Sequence, residues 1–121
     1  MIRLPLLLIL LCLAPSGPAR AAGDVQAGKA VYAQCAACHS MDPEQSALGP
    51  HLSGVVGRKA GGVEGYVYSP PMRRSDVTWT PEIIDAFLVD PQAVVPGTKM
   101  PFSGLPTAKD REDLIAYLAA P

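Results

Sequence analysis

Two thiols and an imidazole stand close together in Cys35-Ala36-Ala37-Cys38-His39. This C-x-x-C-H spacing is the attachment signal of a c-type haem. The chemistry accounts for the spacing. Each thiol adds to one of two vinyl groups on the same porphyrin edge, and the adjacent imidazole turns inward to the iron. Other uses of the pair fit less well. A redox C-x-x-C belongs with a thioredoxin-like alternation of strands and helices, and no such alternation is visible. A structural zinc site takes four ligands, but beyond the motif the chain after residue 21 has only His51 and no further cysteine. A disulfide across so short a loop would constrain little of the unfolded chain.

A six-coordinate iron takes a second axial ligand. The candidates after residue 21 are Met41, Met72, Met100 and His51. Met41 lies two residues after His39 and is poorly placed to reach the opposite face. Met100 sits in Pro96-Gly97-Thr98-Lys99-Met100-Pro101-Phe102, where prolines on both sides stiffen the loop. Met72 stands beside Pro70-Pro71. Methionine is more often core filler than ligand, and pattern alone leaves Met100 only modestly ahead. His51 reads most simply as a solvated loop residue.

Elements must hold these groups in place. With 121 residues the chain suits one domain. Asp24 is a good N-cap for a first helix, with Val25, Gly28, Val31 and Tyr32 on one side. From Leu48 to Val77 glycines and prolines punctuate a long loop layer with room for one helical turn. A loop this long in a small domain points to wrapping round a ligand. A second helix starts at Thr80 as N-cap with Pro81 at its first position. Its apolar face is Ile83, Ile84, Phe87 and Leu88, and Pro91 is expected to end it. A third starts at Thr107, with Asp110 three residues on as a weak capping box and Leu114, Ile115, Tyr117 and Leu118 on its buried side. The expected fold class is all-α, with short helices and long loops. A core of about a hundred residues is marginal unless something bulky and apolar fills it.

The N-terminal stretch is of another kind. Arg3 precedes an apolar run, Leu4 to Leu13, followed by Pro15-Ser16-Gly17-Pro18 and Ala19-Arg20-Ala21. This is the layout of a secretory signal peptide over residues 1–21, cut after Ala21 or Ala22. The remaining domain would be residues 22–121. The apolar run is too short for a membrane span, which needs about twenty residues. A lipoprotein reading at Cys12 is weaker, because Leu11 stands where a small residue is expected. Loss of Arg3 and Arg20 leaves 8 basic against 11 acidic side chains, a formal charge of −3. No basic patch marks a nucleic-acid partner.

With these motifs assembled, the sequence resembles the class I c-type cytochromes, in particular the mitochondrial cytochrome c and bacterial cytochrome c2 group. The resemblance runs from about Gly23 to Leu118. It is carried by the Cys35-to-His39 motif, Gly49-Pro50, Gly57-Arg58-Lys59, Gly65-Tyr66-Val67-Tyr68, Thr78-Trp79, Pro96-Gly97-Thr98-Lys99-Met100 and Asp113-Leu114-Ile115-Ala116-Tyr117-Leu118. It implies helices wrapped round one covalent haem c attached at Cys35 and Cys38. It implies His39 and Met100 as axial ligands, with the Pro50 carbonyl fixing the His39 imidazole. Arg58, Tyr68 and Trp79 match positions that contact a haem propionate, and Thr98 matches a residue that hydrogen-bonds in the haem crevice. The first and last helices would cross near Gly28 and Tyr117. Departures are Met72 where an Asn is usual and Phe87 where a Tyr is usual, each removing a polar group. Gln34 and Gln92 replace lysines that ring the haem edge, whereas Lys29 and Lys99 remain.

The function expected from this resemblance is a periplasmic one-electron carrier rather than an enzyme. It would pass electrons from a quinol-oxidising complex or a periplasmic dehydrogenase to a terminal oxidase, a photosynthetic reaction centre or a peroxidase. It would dock transiently on membrane complexes, as a monomer. The alternatives are the haem subunit of a periplasmic dehydrogenase, a peroxide-reducing enzyme, or a gas sensor with an open sixth site.

Overall fold

Cap chemistry places the first helix where the sequence predicts it. The computed structural model describes residues 23–121, so the predicted leader over residues 1–21 lies outside the described residues. Helix α1 is Val25–Tyr32, and the Asp24 carboxylate accepts the N–H groups of Gln26 and Ala27 at 2.8 and 3.0 Å. Its buried strip runs through Gly28 and Tyr32, one turn apart, while Val25, expected on that side, is 39% exposed.

The loop layer contains one short helix, α2, Pro70–Arg74. Helix α3, Pro81–Val89, begins with the Thr80 hydroxyl accepting the Ile83 N–H at 3.2 Å. It buries Ile84, Phe87 and Leu88. Pro91 ends α3 as expected but also opens a further short helix, α4, Pro91–Val94. The break is at Asp90, whose extended backbone leaves its carboxylate free to accept the Gln92 N–H at 3.1 Å. A proline fits the first turn of a helix as well as it stops one.

Helix α5, Ala108–Ala119, starts after Thr107, but the Thr107 side chain makes no capping bond. Arg111 anchors this entry instead. Its Nη1 donates to the carbonyls of Leu105 and Pro106 at 2.8 and 3.0 Å, and its Nε to Asp85 at 2.8 Å.

Helices α1 and α5 pack face to face, and Gly28 sets how closely. A Cβ there would overlap the Asp113 backbone carbonyl and stand 2.8 Å from Tyr117 Cβ. The Tyr32 and Tyr117 rings lie 5.3 Å apart at the same crossing. Asp113 is buried, at 3% exposed. Its carboxylate accepts the Asp24 N–H at 2.8 Å and pairs with Lys109 at 2.6 Å, and these bonds hold it below the usual carboxylate range. Beneath the crossing, Leu114 and Leu118 join Ile84, Phe87, Leu88, Val95 and Leu105 in the core. No strands form among the described residues, apart from one isolated antiparallel bridge between Lys59 and Thr78.

Candidate functional site

The core is not filled by side chains alone. A cavity of about 500 Å³ lies between the turn after α1, the loop layer, α3, the 98–102 segment and α5. Every site residue expected from the sequence lines it: Cys35, Cys38 and His39, then Pro50, Arg58, Tyr68 and Trp79, then Thr98 and Met100. The volume falls in the range of small-molecule and cofactor sites, about 300–1,000 Å³.

Backbone bonds carry α1 into the motif. The N–H groups of Cys35 and Ala36 donate to the Tyr32 carbonyl at 2.7 and 3.1 Å, and the His39 N–H to Cys35 at 2.9 Å. Both thiols are free and half-buried. Burial pushes the Cys35 thiol up, and the neighbouring Cys38 adds to this. The motif is then sewn to the next loop by Gly49 N–H to the Cys38 carbonyl, 2.7 Å, and Leu52 N–H to the Ser40 carbonyl, 2.8 Å.

The His39 ring is fixed from two sides. Its Nδ1 lies 2.7 Å from the Pro50 carbonyl oxygen. A carbonyl only accepts, so Nδ1 carries a proton, and Nε2 is the ring nitrogen left to face a metal. Gly49 flanks the ring so closely that a Cβ there would overlap it. The Tyr32 hydroxyl donates to the His39 carbonyl at 2.9 Å, tying the residue back to α1.

Arg58 and Trp79 are set opposite each other by backbone pairing. The Trp79 N–H donates to the Arg58 carbonyl at 2.9 Å, and the Gly57 N–H to the Trp79 carbonyl at 2.8 Å. The guanidinium donates through Nη2 to the His51 carbonyl at 2.9 Å and through Nη1 to Ser53 at 3.3 Å. Its Nε is buried without a protein partner, and burial pushes the guanidinium pKa down. The Tyr68 hydroxyl accepts the Val63 N–H at 3.0 Å, which leaves its own proton to donate. A half-buried cationic donor with a spare, buried N–H, beside a tyrosine, suits a carboxylate brought in by a ligand.

The wall elsewhere is apolar. Trp79 and Phe87 meet edge to face, with centroids 5.0 Å apart. Met72 and Phe87, the two departures from the usual pattern, both line the cavity. Of the four candidate axial ligands, Met72 and Met100 reach it. Met41 packs partly buried against the core, and His51 contributes its carbonyl to Arg58. Sequence reasoning missed Ser69, whose buried hydroxyl lacks a protein partner on a cavity-lining residue. A serine just before Pro70-Pro71 reads only as a turn residue.

A half-buried pair of thiols beside an imidazole with a free Nε2, in an apolar cavity with one polar corner, fits a covalent haem. The sequence model of the cytochrome c family matches residues 25–120. The chain belongs to the cytochrome c family. Its fold is that of the class I cytochromes. Cytochrome cH from Methylobacterium extorquens superposes with a TM-score of 0.75 at 45% identity, over 79% of this chain and 97% of that one. Cytochrome c2 of Rhodoblastus acidophilus is 46% identical over 81% of this chain and 92% of its own length. The c-type cytochrome cy of Rhodobacter capsulatus is 51% identical over 84% of this chain, which spans about half of that longer protein. The cofactor of this cytochrome is one covalent haem c, with Cys35 and Cys38 in the attachment motif.

Proposed function

We propose that this cytochrome is a one-electron carrier, exported to the periplasm after removal of residues 1–21. In this reading Cys35 and Cys38 would anchor the haem, and His39 Nε2 and the Met100 thioether would hold its iron. The bound haem supplies an iron that cycles between Fe(II) and Fe(III). The protein's own residues do the rest. Pro50 holds the His39 tautomer and ring plane. Arg58, Tyr68 and Trp79 would receive a propionate, and Thr98 would hydrogen-bond within the crevice. A soft thioether ligand favours the ferrous state and raises the potential, and the apolar wall excludes water.

The observation that carries the reading is the composition of the cavity wall. His39 is its only histidine, and no carboxylate lines it among the described residues. Among the described residues that wall lacks the commonest acid–base groups, a second imidazole or a carboxylate, which supports a carrier over an enzyme. Electrons would arrive from a quinol-oxidising complex or a dehydrogenase and leave to an oxidase, reaction centre or peroxidase. Docking would be weakly charged. Lys99, which lines the cavity, lays its Nζ against the Val67 carbonyl at 2.8 Å and the Tyr66 ring at 5.1 Å. With Gln34 and Gln92 neutral, turnover with partners should depend only modestly on salt.

The decisive test is the absorption spectrum of the oxidised holoprotein, read for the weak far-red band of methionine on ferric haem. The band should be present, survive in Met72→Ala and vanish in Met100→Ala. Its absence from the unmutated protein would overturn Met100 ligation and favour an open-site enzyme or sensor.

A further inference from the structure

Gln92 reads in the sequence as a lost docking charge, yet the structure gives it two bonds at the ligand loop. It stands in the first turn of α4, its backbone N–H held by Asp90. Its side chain reaches forward along the chain. The amide oxygen accepts the Gly97 N–H at 2.9 Å, and the amide nitrogen donates to the Thr98 carbonyl at 2.9 Å. Gly97 presents a donor and Thr98 an acceptor, so only one amide orientation satisfies both. These two residues lead directly into Lys99-Met100.

The backbone of this segment has little regular structure to hold it. Its own bonds are Thr98 N–H to Val95 and Phe102 N–H to Met100, both at 3.0 Å. Lys99 braces the segment from the loop-layer side through Val67. Gln92 braces it from α4. A neutral amide suits this place because it donates and accepts at once. A lysine would only donate and a carboxylate would only accept.

We infer that Gln92 is a positioning residue for Met100, clasping residues 97 and 98 so that the thioether stays aimed into the cavity. The inference rests on Met100 being the second axial ligand. Lifting the thioether off the iron requires the 96–101 loop to move, and the clasp opposes that movement. Each such bond changes an opening equilibrium by about fivefold.

The test is imidazole binding to the ferric holoprotein, followed by loss of the far-red band, with the urea midpoint measured alongside. Gln92→Ala, which removes both bonds, is expected to bind imidazole roughly five- to twenty-five-fold more tightly, because the competing thioether opens more often. Gln92→Glu keeps the acceptor for Gly97, and Gln92→Lys keeps the donor for Thr98, so each should fall between. Gln45→Ala, which removes an exposed amide bonded to Asp42, should leave imidazole binding unchanged. Wild-type imidazole affinity in Gln92→Ala overturns the inference while leaving the carrier reading intact. So does an equal gain in Gln45→Ala. A wild-type protein without the far-red band overturns Met100 ligation and the clasp together.

Discussion

Replacing Gly28 by alanine sets two effects against each other. Alanine is favoured over glycine inside a helix by about 1 kcal/mol. In an isolated α1 the substitution would therefore stabilise. In the folded cytochrome the new methyl would overlap the Asp113 backbone carbonyl and stand 2.8 Å from Tyr117 Cβ. Carbon atoms rest at roughly 3.5–4.0 Å, so the helices must part by about 1 Å. Neither obstacle can swing aside, since one is backbone and the other is the first carbon of a side chain. Overfilling a packed contact costs roughly 1–3 kcal/mol. Parting the helices also stretches the 2.8 Å bond from Asp24 to the Asp113 carboxylate. The net expectation is a loss of about 1–2 kcal/mol. For a domain of this size that lowers the melting temperature by roughly 5–15 °C. The assay is thermal unfolding of the holoprotein, with Ala30→Gly at an exposed site of α1 as the reference for helix propensity alone. A Gly28→Ala protein as stable as wild type, or more so, would refute the close crossing.

Two further outcomes are expected. Lys109 first, and then the Asp24 N–H, hold the Asp113 carboxyl below its ordinary value. Its contribution is thus complete above the unfolded carboxyl pKa of about 3.9 and fades as pH falls through the lower folded value. Asp113→Asn should flatten the acid limb of the urea midpoint below about pH 5; an unchanged limb would show that the carboxylate is not held. Arg58→Gln removes a half-buried positive charge and the bonds to His51 and Ser53. Voltammetry should show a lower reduction potential, because ferric haem loses a repelling charge, and stability should fall by about 1–3 kcal/mol. Arg58→Lys should keep most of the potential but not the stability.

Local chemistry was legible where one residue acts on its near neighbours. Asp24 and Thr80-Pro81 announce helix starts because capping involves groups two or three positions apart. The same logic overreached at Thr107, where Arg111 and its carbonyl partners organise the helix entry and the hydroxyl makes no capping bond. Pro91 was half legible, since a proline both stops α3 and suits the start of α4. The attachment motif is contiguous and needed no fold to be seen. The second ligand was different. Flanking prolines put Met100 only modestly ahead of Met41, Met72 and His51, and it takes the packed loops to show that Met72 and Met100 are the two that reach the cavity. Asp113 and Gln92 were illegible for one reason. Asp113 matters because of a backbone group 89 positions away, and Gln92 because of how a loop folds back on it.

The close meeting of α1 with α5 bears on when this molecule can become native as it is made. Asp24 and Asp113 are 89 residues apart. Closing a loop of that length costs about 4 kcal/mol in chain entropy, which nearer contacts do not offset piecemeal. Until residues 108–119 emerge, α1 is a helix of eight residues with its buried strip uncovered, far shorter than an isolated helix can sustain in water. The α1–α5 crossing can therefore form only once residues 108–119 are available. Until then the thiols on the turn after α1 stand on a chain without its final packing, and remain open to whatever chemistry reaches them.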